Sequence, residues 1–114
     1  MMAAEVSIEA LGQVAEYFKV LSEISRLRIL CALKSGAKNV TEIIAMTNLG
    51  QANVSKHLKT LTQVGMIKRE PRGVSVYYEI ADASIFEICE IVCASLSVNI
   101  EAQSQQLEQL HVFR

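Results

Sequence analysis

The sequence predicts a mostly helical single domain that carries one small β-hairpin. Three observations predict it. Apolar residues recur at helical spacing through most of the chain. One β-branched and aromatic run, VSVYYEI, stands alone behind a Pro-Arg-Gly turn. The 114 residues are 51% hydrophobic, enough for one core without metal or disulfide staples.

The elements follow in order. A first helix is expected from about Ser7 to Leu21, with Ile8, Leu11, Ala15 and Phe18 at helical spacing. Ser22 is expected to cap a second helix, with Leu27, Leu30, Cys31 and Leu33 on its inner side, ending at Ser35-Gly36. Asn39 and Glu42 occupy capping-box positions ahead of a short third helix containing Ile43, Ile44 and Met46. Thr47-Asn48-Leu49-Gly50 reads as a tight turn. In the next stretch, QANVSKHLKTLTQVG, Val54, Leu58 and Leu61 form one apolar stripe, and Gly65 supplies a left-handed cap. The runs Met66–Glu70 and Val74–Ile80 make a hairpin joined by Pro71-Arg72-Gly73, a wing over about 66–80. Asp82 can cap a last helix over about 83–110, with Ile85, Ile88, Cys89, Val92 and Leu96 on its apolar face. At 1.5 Å per residue it reaches about 40 Å, longer than one side of a small domain, so part of it is expected to pack on another subunit.

A third helix, a turn and a polar-faced fourth helix, followed by a hairpin, make a winged helix-turn-helix. The fourth helix needs an apolar stripe to be held and a polar outer face to enter the major groove. Gln51 and Asn53 are the candidates for base contacts; Ser55, Lys56, His57 and Lys59 are candidates for base or phosphate contacts. The hairpin is expected to bring Lys68, Arg69 and Arg72 to the same side, with Arg72 in the turn reaching the minor groove or the backbone.

Charge distribution supports double-stranded DNA as partner where total charge does not. The net charge is −1. Met1–Leu49 holds five basic and five acidic residues. Gly50–Gly73 holds five basic residues against Glu70 alone, and Val74–Arg114 holds Arg114 against six acids. A basic middle in an otherwise acidic chain is the footprint of a polyanion-binding face. The mean hydropathy of +0.28 points to more apolar surface than one small core hides, and self-association is the simplest use for it. No apolar run approaches the ~18 residues of a membrane span. The start MMAAEVSIEA has no basic region of the secretory type, so a cytoplasmic location and reduced thiols are expected.

Over FKVLSEISRLRILCAL, GQANVSKHLKTLTQVGMIKRE and GVSVYYEI the chain resembles the ArsR/SmtB family of bacterial winged-helix repressors, across nearly its full length. The pattern Gln51-x-x-Val54-Ser55-x-His57-Leu58-x-x-Leu61 is similar to the family's recognition helix. The resemblance implies a homodimer formed by the first and last helices. It implies binding to a palindromic operator and repression until an inducer releases the DNA. The chain departs from the family at Ile24 and Ala52, where proline is common, and at Gly50, where serine often caps; glycine is tolerated at a cap. Two metal sites frequent in the family are expected to be absent. The third helix reads Asn39-Val40-Thr41-Glu42-Ile43-Ile44 without a thiol. Asp82 is present on the last helix, but Ser84 and Ser95 stand where histidines would be.

Three readings of Cys31, Cys89 and Cys93 stay open. They are small buried hydrophobes, or sensor thiols for oxidants or reactive sulfur, or, for Cys89 and Cys93 four residues apart, ligands of a soft metal or metalloid. Some relatives carry a thiol in each of the second and last helices and respond to oxidants or reactive sulfur, but their second thiol usually falls at about Ser97 here. Two thiolates are too few for a closed zinc site unless a dimer supplies a second set. His57 reads as a surface residue of the fourth helix and His111 as part of a C-terminal tail. The leading expectation is a DNA-binding regulator, and the alternative is a winged-helix protein-interaction module. A thiol enzyme is not expected, since no base–nucleophile arrangement is found.

Overall fold

A computed structural model describes residues 6–111, with side chains described to residue 105. The chain divides into two compact units, Met1–Asp82 and Ala83–Arg114. The first unit holds α1 (Ile8–Leu21), α2 (Ile24–Leu33), β1 (Lys38–Asn39), α3 (Val40–Thr47), α4 (Gln51–Gln63), β2 (Ile67–Arg72) and β3 (Ser75–Ile80). The second holds α5 (Ser84–His111), whose 28 residues span about 42 Å.

Helix ends follow the local chemistry. Ser7 caps α1 by accepting from the Ala10 amide at 3.1 Å. Ser22 does not cap α2 as its sequence position suggested. It ends α1, its hydroxyl donating to the Lys19 carbonyl at 2.7 Å, and Glu23 takes the N-cap of α2 without a side-chain bond. The capping box of α3 is complete: Asn39 Oδ1 accepts from the Glu42 amide at 2.8 Å, and Glu42 Oε1 accepts from the Asn39 amide at 2.9 Å. Asn48 ends α3 in the left-handed conformation, φ 58°, which a short polar side chain tolerates. Gly65, φ 80°, ends α4 as expected, and the chain turns directly into β2.

The core is built mainly by α2, α3 and α4. Ile29, Leu30, Ala32 and Leu33 of α2, Ile43 of α3, and Val54, Leu58 and Leu61 of α4 are buried, and Met66 and Ile67 are buried beside them in the chain leading into the hairpin. Cys31 is not on the inner side of α2: it is exposed, because Leu30, Ala32 and Leu33 fill the buried arc.

The sheet has three strands in the order β1-β3-β2, all antiparallel. Lys38 and Asn39 pair with Tyr78 and Tyr77, adding a two-residue strand that the sequence does not announce. The wing turn is also shorter than expected. Pro71 and Arg72 continue β2, and the pair Arg72–Ser75 closes a turn of Gly73 and Val74. Proline is accepted there because β2 is an edge strand. Gly73 supplies the positive φ, 63°, that such a two-residue turn demands.

Candidate nucleic-acid interface

Helix α4 is amphipathic in the way a groove-entering helix must be. Val54, His57, Leu58 and Leu61 lie on its buried face. Gln51, Asn53, Ser55, Lys56 and Lys59 are exposed on the remainder. No side chain caps its start at Gly50, and α4 carries no acidic residue. Its first-turn amides and its two lysines therefore present a positive end and a positive face to solvent.

His57 is the exception among the proposed contact residues. Its side chain is buried, so it does not belong to the outward face. Its place at three residues from Val54 and four from Leu61 puts it on the apolar stripe, a spacing visible in the sequence. Arg26 of α2 donates from Nε to His57 Nδ1 at 3.3 Å, so the neutral ring carries its proton on Nε2. Burial lowers the His57 pKa first of all; the charge of Arg26, and to a lesser degree that of Lys56, lowers it further against an opposing pull from Glu23.

Two arginines of α2 hold the helix-turn-helix, and neither role shows in the local sequence pattern. Arg26 ties α4 to the end of α1, since its Nη1 also donates to the Val20 carbonyl at 3.2 Å. Arg28 donates to the Thr47 carbonyl, at the last residue of α3. Thr47 is itself buried; its hydroxyl donates to the Ile43 carbonyl at 2.7 Å and accepts from the Leu49 amide at 3.4 Å. The turn that aims α4 is thus fixed from both sides.

The wing is less basic than its sequence segment. Strand alternation puts Lys68, Glu70 and Arg72 on one face of β2 and Arg69 on the other, so the three cations do not share a side. Lys68 is paired with its cross-strand neighbour Glu79 at 3.0 Å. Arg72 lies 3.5 Å from Glu70 and stacks over the Tyr77 ring at 4.6 Å. All three cationic residues remain exposed.

Cys31 and Cys93 are exposed and Cys89 is half-buried. Cys31 borders a groove of about 420 Å³ between α2 and α3, with Ile24, Leu27 and Met46. Among the described residues no group of three or more His, Cys, Asp or Glu side chains is placed to hold a metal ion. No described helix is long and apolar enough to cross a membrane.

Comparison with known proteins gives a consistent result. The family model for bacterial regulatory proteins of the arsR family matches residues 25–69. The chain is 30% identical over 83 residues to a transcriptional repressor SmtB homolog of Synechocystis sp., covering 73% of this chain and 63% of the length of that relative. It is 32% identical over 85 residues to the arsenical resistance operon repressor of Bacillus subtilis, covering 71% of this chain and 78% of that one. The solved homodimeric winged helix-turn-helix DNA-binding domain Mb0332 of Mycobacterium bovis matches with a TM-score of 0.72 at 28% identity, covering 89% of this chain and 95% of that chain.

The buried histidine makes stability depend on pH with a definite sign. The unfolded chain takes up a proton on His57 near the ordinary value of 6.5, while the folded chain resists protonation until lower pH. The contribution is therefore fully present above 6.5 and is lost as pH falls from there towards the folded value. Urea unfolding at pH 7.5 and pH 5.5 should show a lower midpoint at pH 5.5. His57→Gln, which still accepts from Arg26 but does not titrate, should narrow that difference. An equal drop in both proteins would show that His57 is not its source.

Proposed function

From the premise that this chain belongs to the arsR family of bacterial regulatory proteins, we propose that it is a homodimeric repressor that grips a palindromic operator and releases it when an inducer arrives. DNA-binding regulation of transcription, without catalysis, is the common property of the family. The observation that carries the reading is the division of α4: a buried stripe backs a face of Gln51, Asn53, Ser55, Lys56 and Lys59. In this reading Gln51 and Asn53 contact base edges, and Ser55, Lys56 and Lys59 contact bases or phosphates. Lys68, Arg69 and Arg72 add contacts from the wing.

Dimerisation rests on α1 and α5. Ile8, Leu11, Val14 and Phe18 of α1 are all more than half exposed. On α5, Ile91, Val92, Leu96, Val98 and Ile100 are exposed. Apolar faces of this size mark association surfaces. A two-fold dimer matches a palindrome, since it presents two α4 helices to half-sites about one helical turn apart. The inducer is read through the thiols. Cys31 and Cys93 are exposed to a reagent, and Cys89 and Cys93 share one face of α5. A soft metal or metalloid held by Cys89 and Cys93 needs further ligands from a second subunit, so it depends on the dimer.

Three outcomes test this. On a palindrome from its own promoter region, affinity should fall steeply with salt. Lys56→Ala should lower the slope of log K against log salt by about two, one phosphate per protomer. A winged-helix module that binds only protein would show no preference for that palindrome over random duplex. Phe18→Glu should turn dimer into monomer in sedimentation, and an unchanged mass would remove α1 from the interface. Operator binding with and without reductant, repeated for Cys31→Ser, Cys89→Ser and Cys93→Ser, should lose redox dependence in particular variants. A response identical in all three would exclude single-thiol sensing.

A further inference from the structure

Arg72 differs from the other wing cations in how it is held, and the residue holding it has no role in the reading above. Its direct partner across the hairpin is Ser75, which is too small to occupy the space over the strand. The diagonal neighbour is Tyr77, and the guanidinium lies over that ring at 4.6 Å. Glu70, the direct partner of Tyr77, lies 3.5 Å from the guanidinium. Tyr77 is itself a fixed platform. It sits in the middle strand, paired with Asn39 of β1 on one side and Glu70 of β2 on the other.

Stacking occupies the face of a guanidinium and leaves its in-plane N–H edge free. The single contact with Glu70 uses one Nη group, which leaves most of the five donors available to a ligand. Lys68 is in the opposite situation, its one ammonium lying 3.0 Å from Glu79. Arg72 also stands next to the tip, where Val74 is fully exposed. A long side chain that is ordered before its ligand arrives loses less entropy on binding than a free one.

We propose that Tyr77 is a positioning residue for DNA binding. Its ring holds the Arg72 guanidinium at the wing tip with its donors directed outward, ready for the acceptor atoms of the duplex beside the α4 contact. Glu70 steadies the guanidinium in the free protein and yields it when the more strongly charged DNA arrives. The inference rests on the proposed DNA-binding reading and adds a residue that touches no DNA itself.

A double-mutant cycle on operator affinity tests it, with full-length protein and the promoter palindrome. Tyr77→Leu should weaken binding about two- to fivefold per wing, the size of an exposed cation–π contact. Tyr77→Phe keeps the ring and should stay within about twofold of wild type. In the Arg72→Ala background, Tyr77→Leu should change affinity by less than about 1.5-fold, because the group it positions is gone. Thermal melts check that each protein is folded at the assay temperature, and Tyr77→Val replaces Tyr77→Leu if the latter melts. An equal loss from Tyr77→Leu in both backgrounds, or a Tyr77→Phe as weak as Tyr77→Leu, overturns the positioning role while leaving DNA binding intact. Absence of operator binding by the wild-type protein overturns both.

Discussion

Helix α4 can offer one face to DNA only because its other face is locked into the core. Val54, Leu58 and Leu61 are almost fully buried. Burying an aliphatic side chain of this size is worth about 1.5–3 kcal/mol. Three of them contribute a gross term comparable to the whole net stability of a small domain, about 5–15 kcal/mol. The orientation of α4 is therefore set by the same interaction that keeps the unit folded, and the outer face takes its direction without stabilising contacts of its own. Arg26 and Arg28 refine this anchoring. One bonds to a side chain of α4 and the other to the carbonyl that ends α3. Both start from α2, whose apolar face lies at the centre of the same core, so the aim of the helix-turn-helix is referred to a single rigid element.

Helix and wing solve different electrostatic problems. On α4 the charged residues are Lys56 and Lys59 alone, and the proposed reading groups are short side chains whose positions follow from the backbone. On the wing, carboxylates accompany the cations. Glu79 neutralises Lys68 across the hairpin, and Glu70 shares Arg72 with an aromatic ring. An exposed ion pair adds about 0–1 kcal/mol to stability, so these pairs do little to hold the hairpin. Their larger effect is on the ordering of long, flexible cations and on how much positive potential the wing projects. Most of the unopposed charge of the basic segment is on the helix.

The sequence was legible where a local rule governs. The capping box of Asn39 and Glu42, the left-handed Gly65 and the stripe Val54, Leu58, Leu61 each depend on residues within one or two helical turns, and each is present in the fold. It was opaque where distant residues meet. The pair Lys38–Asn39 becomes a strand only because β3 lies beside it, and two residues carry no periodicity to detect. Arg26 and Arg28 look like the polar face of α2 until α4 and the α3 end are in place. The neutralisation of Lys68 by Glu79 was hidden by the boundary drawn between a basic and an acidic segment, since the two residues are eleven positions apart yet directly opposed in the hairpin. His57 is a different case. Its spacing placed it on the buried stripe, but its chemistry drew it to the outer face, and packing prevailed once Arg26 supplied a hydrogen-bond partner.

The positive mean hydropathy finds its explanation in where the apolar residues are, not in how large the core is. The buried residues of the first unit come chiefly from α2, α3, α4 and the start of β2, while α1 contributes Val20. Much of the surplus lies on the two elements at the ends of the chain: Ile8 of α1 is 85% exposed and Ile91 of α5 is 70% exposed. Scattered apolar residues on a surface need no explanation, but residues spaced by three, four and seven on one helix do. A helix of that pattern acquires its stability from a surface it packs against, and for α1 that surface is not supplied within its own unit. Association also answers a requirement of the reading face. One α4 offers few base-contacting side chains, and a single module of this size buries too little DNA for a tight and selective complex. Two copies fixed by a rigid interface roughly double the contact free energy and add the spacing of half-sites as a second criterion of specificity. In the proposed dimer the hydropathy of the terminal helices and the modest basicity of the wing are then connected: selectivity comes from geometry between two weak readers rather than from strong charge on one.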